Sequence, residues 1–232
     1  MDKTRELLLE LANSNKPQIS SILSVPEAGW VNLKFTKKEH ELSYITSVPL
    51  QWLDAAIYGM KTGDPFTVWG DQESEGIVYC SVTDSGIYVV EENNYKNIEY
   101  VKLYPEEFCR LLYKDISENI DAWVNEWDVA DTPEESRKMI QERLDELDSV
   151  FKKNLEEKRR ETNKAVRNAM NGIGWGLVVL DESLIDDDLI DEWQAFCERR
   201  EEMFEEKRKE NNQEDAKPDG IDFIGMDPEE YE

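Results

Sequence analysis

The sequence is poor in the residues on which catalytic and metal sites most often depend. It has one histidine, His40, and three cysteines, Cys80, Cys109 and Cys197, without the paired spacing of a disulfide framework or a zinc site, and this favours a reducing compartment. General base chemistry usually relies on histidine. Because no recognisable nucleophile motif accompanies His40, we expect it to be a surface residue of a strand and the protein not to be an enzyme. Cys109 lies in an apolar stretch and is expected to be buried.

Long apolar runs and phosphate-binding loops are also missing. The longest apolar runs, such as 176–180, are far too short to cross a bilayer. The residues after Met1 lack the apolar segment of a signal peptide. The glycines of 172–176 match neither the phosphate-loop nor the dinucleotide-binding pattern. We therefore expect a cytoplasmic protein that needs no cofactor.

Basic residues are outnumbered by acidic ones, 27 to 53, which gives a formal net charge of −26. The excess is uneven, since residues 111–232 carry a net charge of −19 and residues 1–110 carry −7. A field of one sign selects partners of the opposite sign over long distances. The charge therefore indicates a basic protein partner and argues against direct binding of nucleic acid or an anionic membrane.

The periodicity of apolar residues in the first half predicts an α+β fold. Alternation over 30–36 predicts a strand that returns over 40–45, and Ser47, Pro49 and Gly63 mark the ends of a helix. Four β-like runs joined by turn residues, 66–69, 76–81, 86–91 and 98–103, predict an antiparallel meander sheet. A second helix, starting at Pro105 with an apolar stripe that extends to Trp127, is expected to cover one face of this sheet.

The second half is predicted to be helical. Thr132 and Glu135 have the spacing of a capping box, and Pro133 fits a first turn, so a long helix is expected from there to Met170. Another helix is expected over 187–209. We accordingly divide the chain into an α+β domain at 1–128, a helical region at 129–210 and an acidic tail at 211–232.

The residues expected to contact a partner are acids of two helical segments together with two apolar residues of the tail. They are Glu142, Asp145, Glu146, Asp181, Glu182, Asp186, Asp187, Asp188, Asp191, Glu192, Phe223 and Ile224. The cluster at 186–192 is the densest group of acids. Consecutive helical residues diverge and acids are favoured at a helix start, so we interpret this cluster as a solvated face and not as a metal site.

The small α+β meander with an acidic surface and no catalytic motif resembles bacterial immunity proteins of polymorphic toxin systems. The same features are also similar to those of acidic inhibitor proteins encoded by phages. Residues 30–127, a little under half of the chain, carry this resemblance, and the helical second half lies outside it. The resemblance implies a cytoplasmic antitoxin that binds one cognate toxin.

Taken together, the sequence predicts a non-enzymatic binding protein that inhibits a basic partner. It either neutralises a toxin or imitates the phosphates of nucleic acid. A mimic of duplex DNA needs carboxylates along an elongated surface, because the duplex carries about one charge per 1.7 Å. One alternative is a metal-dependent hydrolase with Asp and Glu ligands. Another is a helical scaffold in which 132–170 pairs with a second copy, although the apolar stripe at 140–155 is short for a coiled coil.

Overall fold

The computed structural model describes residues 19–93, 98–127, 129–171 and 181–214. The first part of the chain contains the hairpin strands β1 (Trp30–Asn32) and β2 (Glu41–Ser43), helix α1 (Val48–Thr62), strands β3 (Phe66–Asp71), β4 (Ile77–Thr83), β5 (Gly86–Glu91) and β6 (Ile98–Val101), and helices α2 (Pro105–Glu118) and α3 (Ile120–Glu126). The second part contains α4 (Pro133–Met170) and α5 (Asp187–Glu214). The α+β class and the long helix in the C-terminal region are confirmed.

The strands form two antiparallel sheets. β1 and β2 make a two-stranded hairpin, whereas β3, β4, β5 and β6 pair in sequence order in a four-stranded sheet. The predicted meander is therefore confirmed. The two-residue connection at 84–85 sets the register of the central pair, in which Thr83 lies opposite Gly86.

Helix α1 has the predicted ends but not the predicted cap. Pro49 lies in its first turn and Gly63 ends it in the left-handed conformation, with φ of 75°. The expected cap at Ser47 is wrong, because its side chain makes no capping hydrogen bond. A glycine is required at Gly59, where a β-carbon would lie 2.1 Å from Cδ1 of Phe66. This close approach seats α1 directly on β3.

The single helix expected from Pro105 to Trp127 is instead two helices. Residue Asn119 interrupts it with φ of −120° and ψ of 25°, and α3 begins at Ile120. The Asn119 side-chain amide donates to the carbonyl oxygen of Asp115 at 2.9 Å. Asparagine often bonds to nearby backbone in this way and so competes with helix continuation.

Chain contacts divide the molecule into two compact units, Met1–Asn154 and Leu155–Glu232. The core of the first unit lies between one face of the four-stranded sheet and helices α1 and α2. Phe108 is its centre, and the first half of α4 adds Ile140, Leu144 and Leu147 to it. The Thr132 hydroxyl accepts from the Glu135 N–H at 3.2 Å, so the predicted start of α4 is confirmed.

The second unit has a small core of its own. Its buried side chains are Val166, Ile185, Leu189 and Trp193. These units differ in extent from the regions 1–128 and 129–210 predicted from sequence, because apolar residues of α4 lie in two separate cores. The division at residue 128, as a statement about independently folding domains, stays a prediction.

Candidate functional site

The acidic residues predicted on α4 lie on its solvent side. Glu142, Asp145 and Glu146 are all exposed, on the opposite side of the helix from its buried apolar residues. Glu142 lies 3.9 Å from the Lys138 amine, Asp145 accepts from the Gln141 amide at 2.8 Å, and Glu146 pairs with Lys61. Ion pairs of this exposed kind hold side chains in place weakly. The carboxylates therefore remain accessible to a partner.

In the second unit, the acids before α5 stabilise the chain entering that helix. Asp181 Oδ1 accepts from the Ser183 N–H at 3.1 Å and from its hydroxyl at 2.7 Å, and these hydrogen bonds lower the pKa of Asp181. Glu182 is exposed. Asp186 lies 3.8 Å from the Arg159 guanidinium, and its N–H donates to Asn163 Oδ1 at 2.9 Å. Asp186 thus has a structural role, and its predicted contact with a partner stays a prediction.

The remaining acids of the cluster lie in the first turns of α5. The side chains of Asp187, Asp188, Asp191 and Glu192 are exposed, whereas Leu189 on the other side is buried. The positive end of the helix dipole favours acids at this point. Within the described residues, no group of three acidic, histidine or cysteine side chains is arranged to hold a metal ion. The arrangement is a strip of carboxylates along one side of a helix.

His40 is buried, so the expectation of a surface histidine is wrong. Only 2% of it is exposed. Its Nδ1 lies 3.4 Å from the Gln72 amide nitrogen and 3.5 Å from a carboxylate oxygen of Glu91. Burial lowers the pKa of His40 more than Glu91 raises it. The neutral ring connects the β1–β2 hairpin to β5, which strand alternation alone did not indicate.

We expect His40 to make the protein less stable as the pH falls from about 7.5 to about 5.5. The unfolded chain gains a proton on this imidazole near its ordinary pKa of 6.5, whereas the folded protein does so only at lower pH. A pKa that is lower by one in the folded protein corresponds to a loss of about 1.4 kcal/mol in the free energy of unfolding at low pH. Urea unfolding of the wild type and of His40→Gln at both pH values measures this contribution as the difference between their pH dependences. An identical pH dependence in the two proteins would contradict it.

A groove of about 780 Å³ lies between the hairpin and the short 3₁₀ turn Glu73–Glu75. Its walls carry Lys34 and Lys37 as well as acids, namely Glu39, Glu41, Glu73 and Glu75. Pockets for small molecules are mostly lined by apolar and aromatic side chains. The mixed and highly charged lining of this groove does not fit that pattern.

The sheet has a second face, which we call the open face. Two rows of its side chains run across all four strands, as the pairing register shows, and Asp71, Ile77 and Thr83 lie beyond these rows on the same face. One row contains Trp69, Tyr79, Val90 and Ile98, and the other contains Thr67, Ser81, Tyr88 and Tyr100. Ile98 is 58% exposed, Tyr100 48% and Tyr88 39%. The rings of Tyr88 and Tyr100 have centroids 5.4 Å apart.

The open face was not among the sites predicted from sequence, although the apolar and aromatic run of β5 carries a signal for it. In β5, the outward Tyr88 and Val90 alternate with the inward Ile87 and Val89, so both faces are apolar or aromatic. Such runs usually indicate a strand that is buried on both sides. A strand with one solvated face normally carries polar residues there, and the exposure of Tyr88 is therefore unusual.

The cysteines are free thiols with different surroundings. Cys80 and Cys109 are buried, as expected for Cys109, and Cys197 is exposed. Burial raises the pKa of Cys109 to about 12 and raises that of Cys80 further. Because a reactive cysteine needs its thiolate form, the two buried thiols serve the packing of the core.

Two of the predicted contact residues, Phe223 and Ile224, lie outside the described residues, as does the chain from residue 215 onwards. The first residues of the predicted tail, 211–214, instead belong to helix α5. None of the described helices combines the length and the apolarity that crossing a membrane requires. Comparisons with models of protein families, with curated proteins and with solved structures give no match for this chain.

Proposed function

We propose that this chain is a non-enzymatic binding protein that inhibits a basic protein partner. The proposal is carried by one observation, the solvent exposure of the carboxylates on α4 and α5 in a chain with a formal net charge of −26. A partner with a complementary charge would be attracted over distances of a Debye length, about 8 Å at physiological ionic strength, and held by oriented carboxylates.

The helices give the backbone positions of these acids a fixed spacing. On α5, Asp187 and Asp191 are one turn apart, as are Asp188 and Glu192. Each pair is separated by about 6 Å along the helix axis. On α4, Glu142, Asp145 and Glu146 lie on one side through the spacing i, i+3, i+4. Strips with this regular spacing favour a partner whose basic groups are regularly spaced as well.

Strips of exposed carboxylates could inhibit a basic partner in two ways. In the first, the protein is a bacterial immunity protein that covers the basic active surface of a toxin. In the second, it is a phage protein whose carboxylates take the place of nucleic-acid phosphates on a defence enzyme. We place either activity in the cytoplasm, where the free thiols of Cys80 and Cys109 would remain reduced. The identity of the partner distinguishes the two forms.

The proposal predicts strongly salt-dependent association. The partner would be captured on the immobilised full chain from a lysate of the source cell or its host, identified by mass spectrometry and purified. We expect its association rate constant to fall at least about tenfold between about 50 and about 500 mM NaCl, because salt screens exposed charges. Surface plasmon resonance measures this rate. Association that does not depend on salt would contradict an electrostatic mechanism.

A matched pair of variants tests whether association depends on a specific acidic surface or only on the net charge of the chain. The test variant neutralises the α5 strip through Asp187→Asn, Asp188→Asn, Asp191→Asn and Glu192→Gln. The control removes the same charge from the groove through Glu39→Gln, Glu41→Gln, Glu73→Gln and Glu75→Gln. We expect the α5 variant to slow association several-fold more than the control. Equal slowing would show that overall charge alone is responsible.

A further inference from the structure

We propose that the open face is the place where the basic partner is held, and that an arginine- or lysine-bearing segment of the partner lies across its two rows. This inference rests on the proposed function and adds to it a location and a contact chemistry. The net negative charge of the chain attracts the partner, and the aromatic rings of the sheet provide the short-range contact.

The composition of the open face is the first argument. None of its eight row positions is charged, although 34% of the residues in the chain are. Four of the eight are Trp or Tyr. These residue types are enriched at the centres of protein interfaces, where charged side chains are depleted. Because the residues are cross-strand neighbours, they form one continuous patch.

The geometry of the tyrosines is the second argument. Tyr88 and Tyr100 face each other on neighbouring strands, with their ring planes inclined at 52°. Both rings are 39% or more exposed. An aromatic ring attracts a guanidinium or ammonium group placed over its face, and arginine also stacks on it. In β3, Asp71 has the same outward parity as Trp69 and adds a carboxylate at the edge of the patch.

A second copy of this chain fits the open face less well than a basic partner does. Four strands span about 15 Å and the two rows lie about 7 Å apart, so the patch covers on the order of 100 Å². A stable interface needs about 800 Å² from each partner. A symmetric pair joined here would also bring together two molecules with a charge of −26 each. The patch is therefore better suited to be the centre of a larger interface with a basic partner.

Single-stranded nucleic acid also stacks on aromatic residues of sheets, but it is held by basic grooves that follow its backbone. The two rows contain no lysine or arginine, and the charge of the chain repels phosphates. The open face therefore favours a cationic peptide segment over an oligonucleotide. Binding of an oligonucleotide is therefore measured as well, as a result that would contradict this inference.

The test is a titration of the full chain with an octa-arginine peptide, followed by ¹⁵N NMR. We expect the peptide to shift amide resonances of β5 and β6, and the double variant Tyr88→Ser/Tyr100→Ser to bind it about tenfold more weakly. Serine is already the neighbour of Tyr88 in this row, at Ser81, so the fold should persist, which circular dichroism checks. Tyr58→Ser is the matched control, because Tyr58 is 52% exposed on α1.

Unchanged affinity of the double variant, or an equal loss in Tyr58→Ser, would overturn the inference. So would preferential binding of octa-thymidylate at the open face. Sedimentation that shows a dimer of the wild type, absent in the double variant, would assign the face to a second copy instead. If the captured partner still binds the double variant with undiminished affinity and strong salt dependence, the proposed function stands and this inference alone fails.

Discussion

Replacing Phe108 with alanine is expected to lower the free energy of unfolding by about 4 kcal/mol. The ring is completely buried. Its centroid lies 6.0 Å from those of Phe35 and Phe66 and 6.2 Å from that of Trp52. These neighbours come from the hairpin connection, β3 and α1. Because they belong to three separate elements, they cannot all move inward together, and a cavity would remain.

Two companion variants make this prediction specific to packing. Phe108→Leu restores most of the lost volume, so we expect it to cost about 1–2 kcal/mol. Tyr104→Ala changes a neighbouring aromatic residue that is 44% exposed and should cost no more than about 0.5 kcal/mol. Urea unfolding followed by tryptophan fluorescence gives the three values. A cost below about 1.5 kcal/mol for Phe108→Ala would mean that the core closes around the gap.

Replacing Asp115 with alanine is expected to cost about 3 kcal/mol. One carboxylate oxygen of Asp115 accepts from the backbone N–H groups of Ile22, at 2.5 Å, and Leu23, at 2.9 Å, and from the Ser21 hydroxyl at 3.1 Å. Burial raises the pKa of Asp115, and these three donors oppose the rise. Without the carboxylate, buried N–H groups would lose their acceptor, and each such group costs about 1–3 kcal/mol.

Asp115→Asn is the matched control for this prediction. It keeps a side-chain oxygen without the charge, and we expect it to cost about half as much as alanine. Hydrogen exchange at the amides of Ile22 and Leu23 would locate the effect, with faster exchange in the alanine variant. Equal costs for the two variants, with unchanged exchange at these amides, would show that the contacts contribute little to stability.

Much of the architecture follows from local patterns. The turn at Asp84 and Ser85 predicted the central strand pair, and the Thr132 cap predicted the start of α4, because both depend on residues close together in the chain. The contacts of Asp115 join residues more than 90 positions apart. No periodicity reports such contacts, and the burial of His40 was missed for the same reason.

The candidate surfaces also differ in how far the local sequence predicted them. The exposure of Glu142 and Asp187 was predictable, since helical periodicity places acids opposite an apolar stripe. Which face of the sheet stays open was not predictable. In β4, the outward Tyr79 and the inward Cys80 both belong to an apolar run, and only the tertiary structure shows which of the two faces α1 and α2 cover. Whether the predicted contact residues bind a partner stays a prediction.

The alternation of β3 to β6 has a consequence for how this protein could evolve. In β5, Ile87 and Val89 hold the fold together, while Tyr88 and Val90 between them face outward. Substitutions at outward positions usually change stability by no more than about 0.5 kcal/mol. Mutation at these outward positions can therefore change the contact chemistry of the sheet at a small cost in stability. Under the proposed function, this division would let related chains bind different partners while keeping the same core.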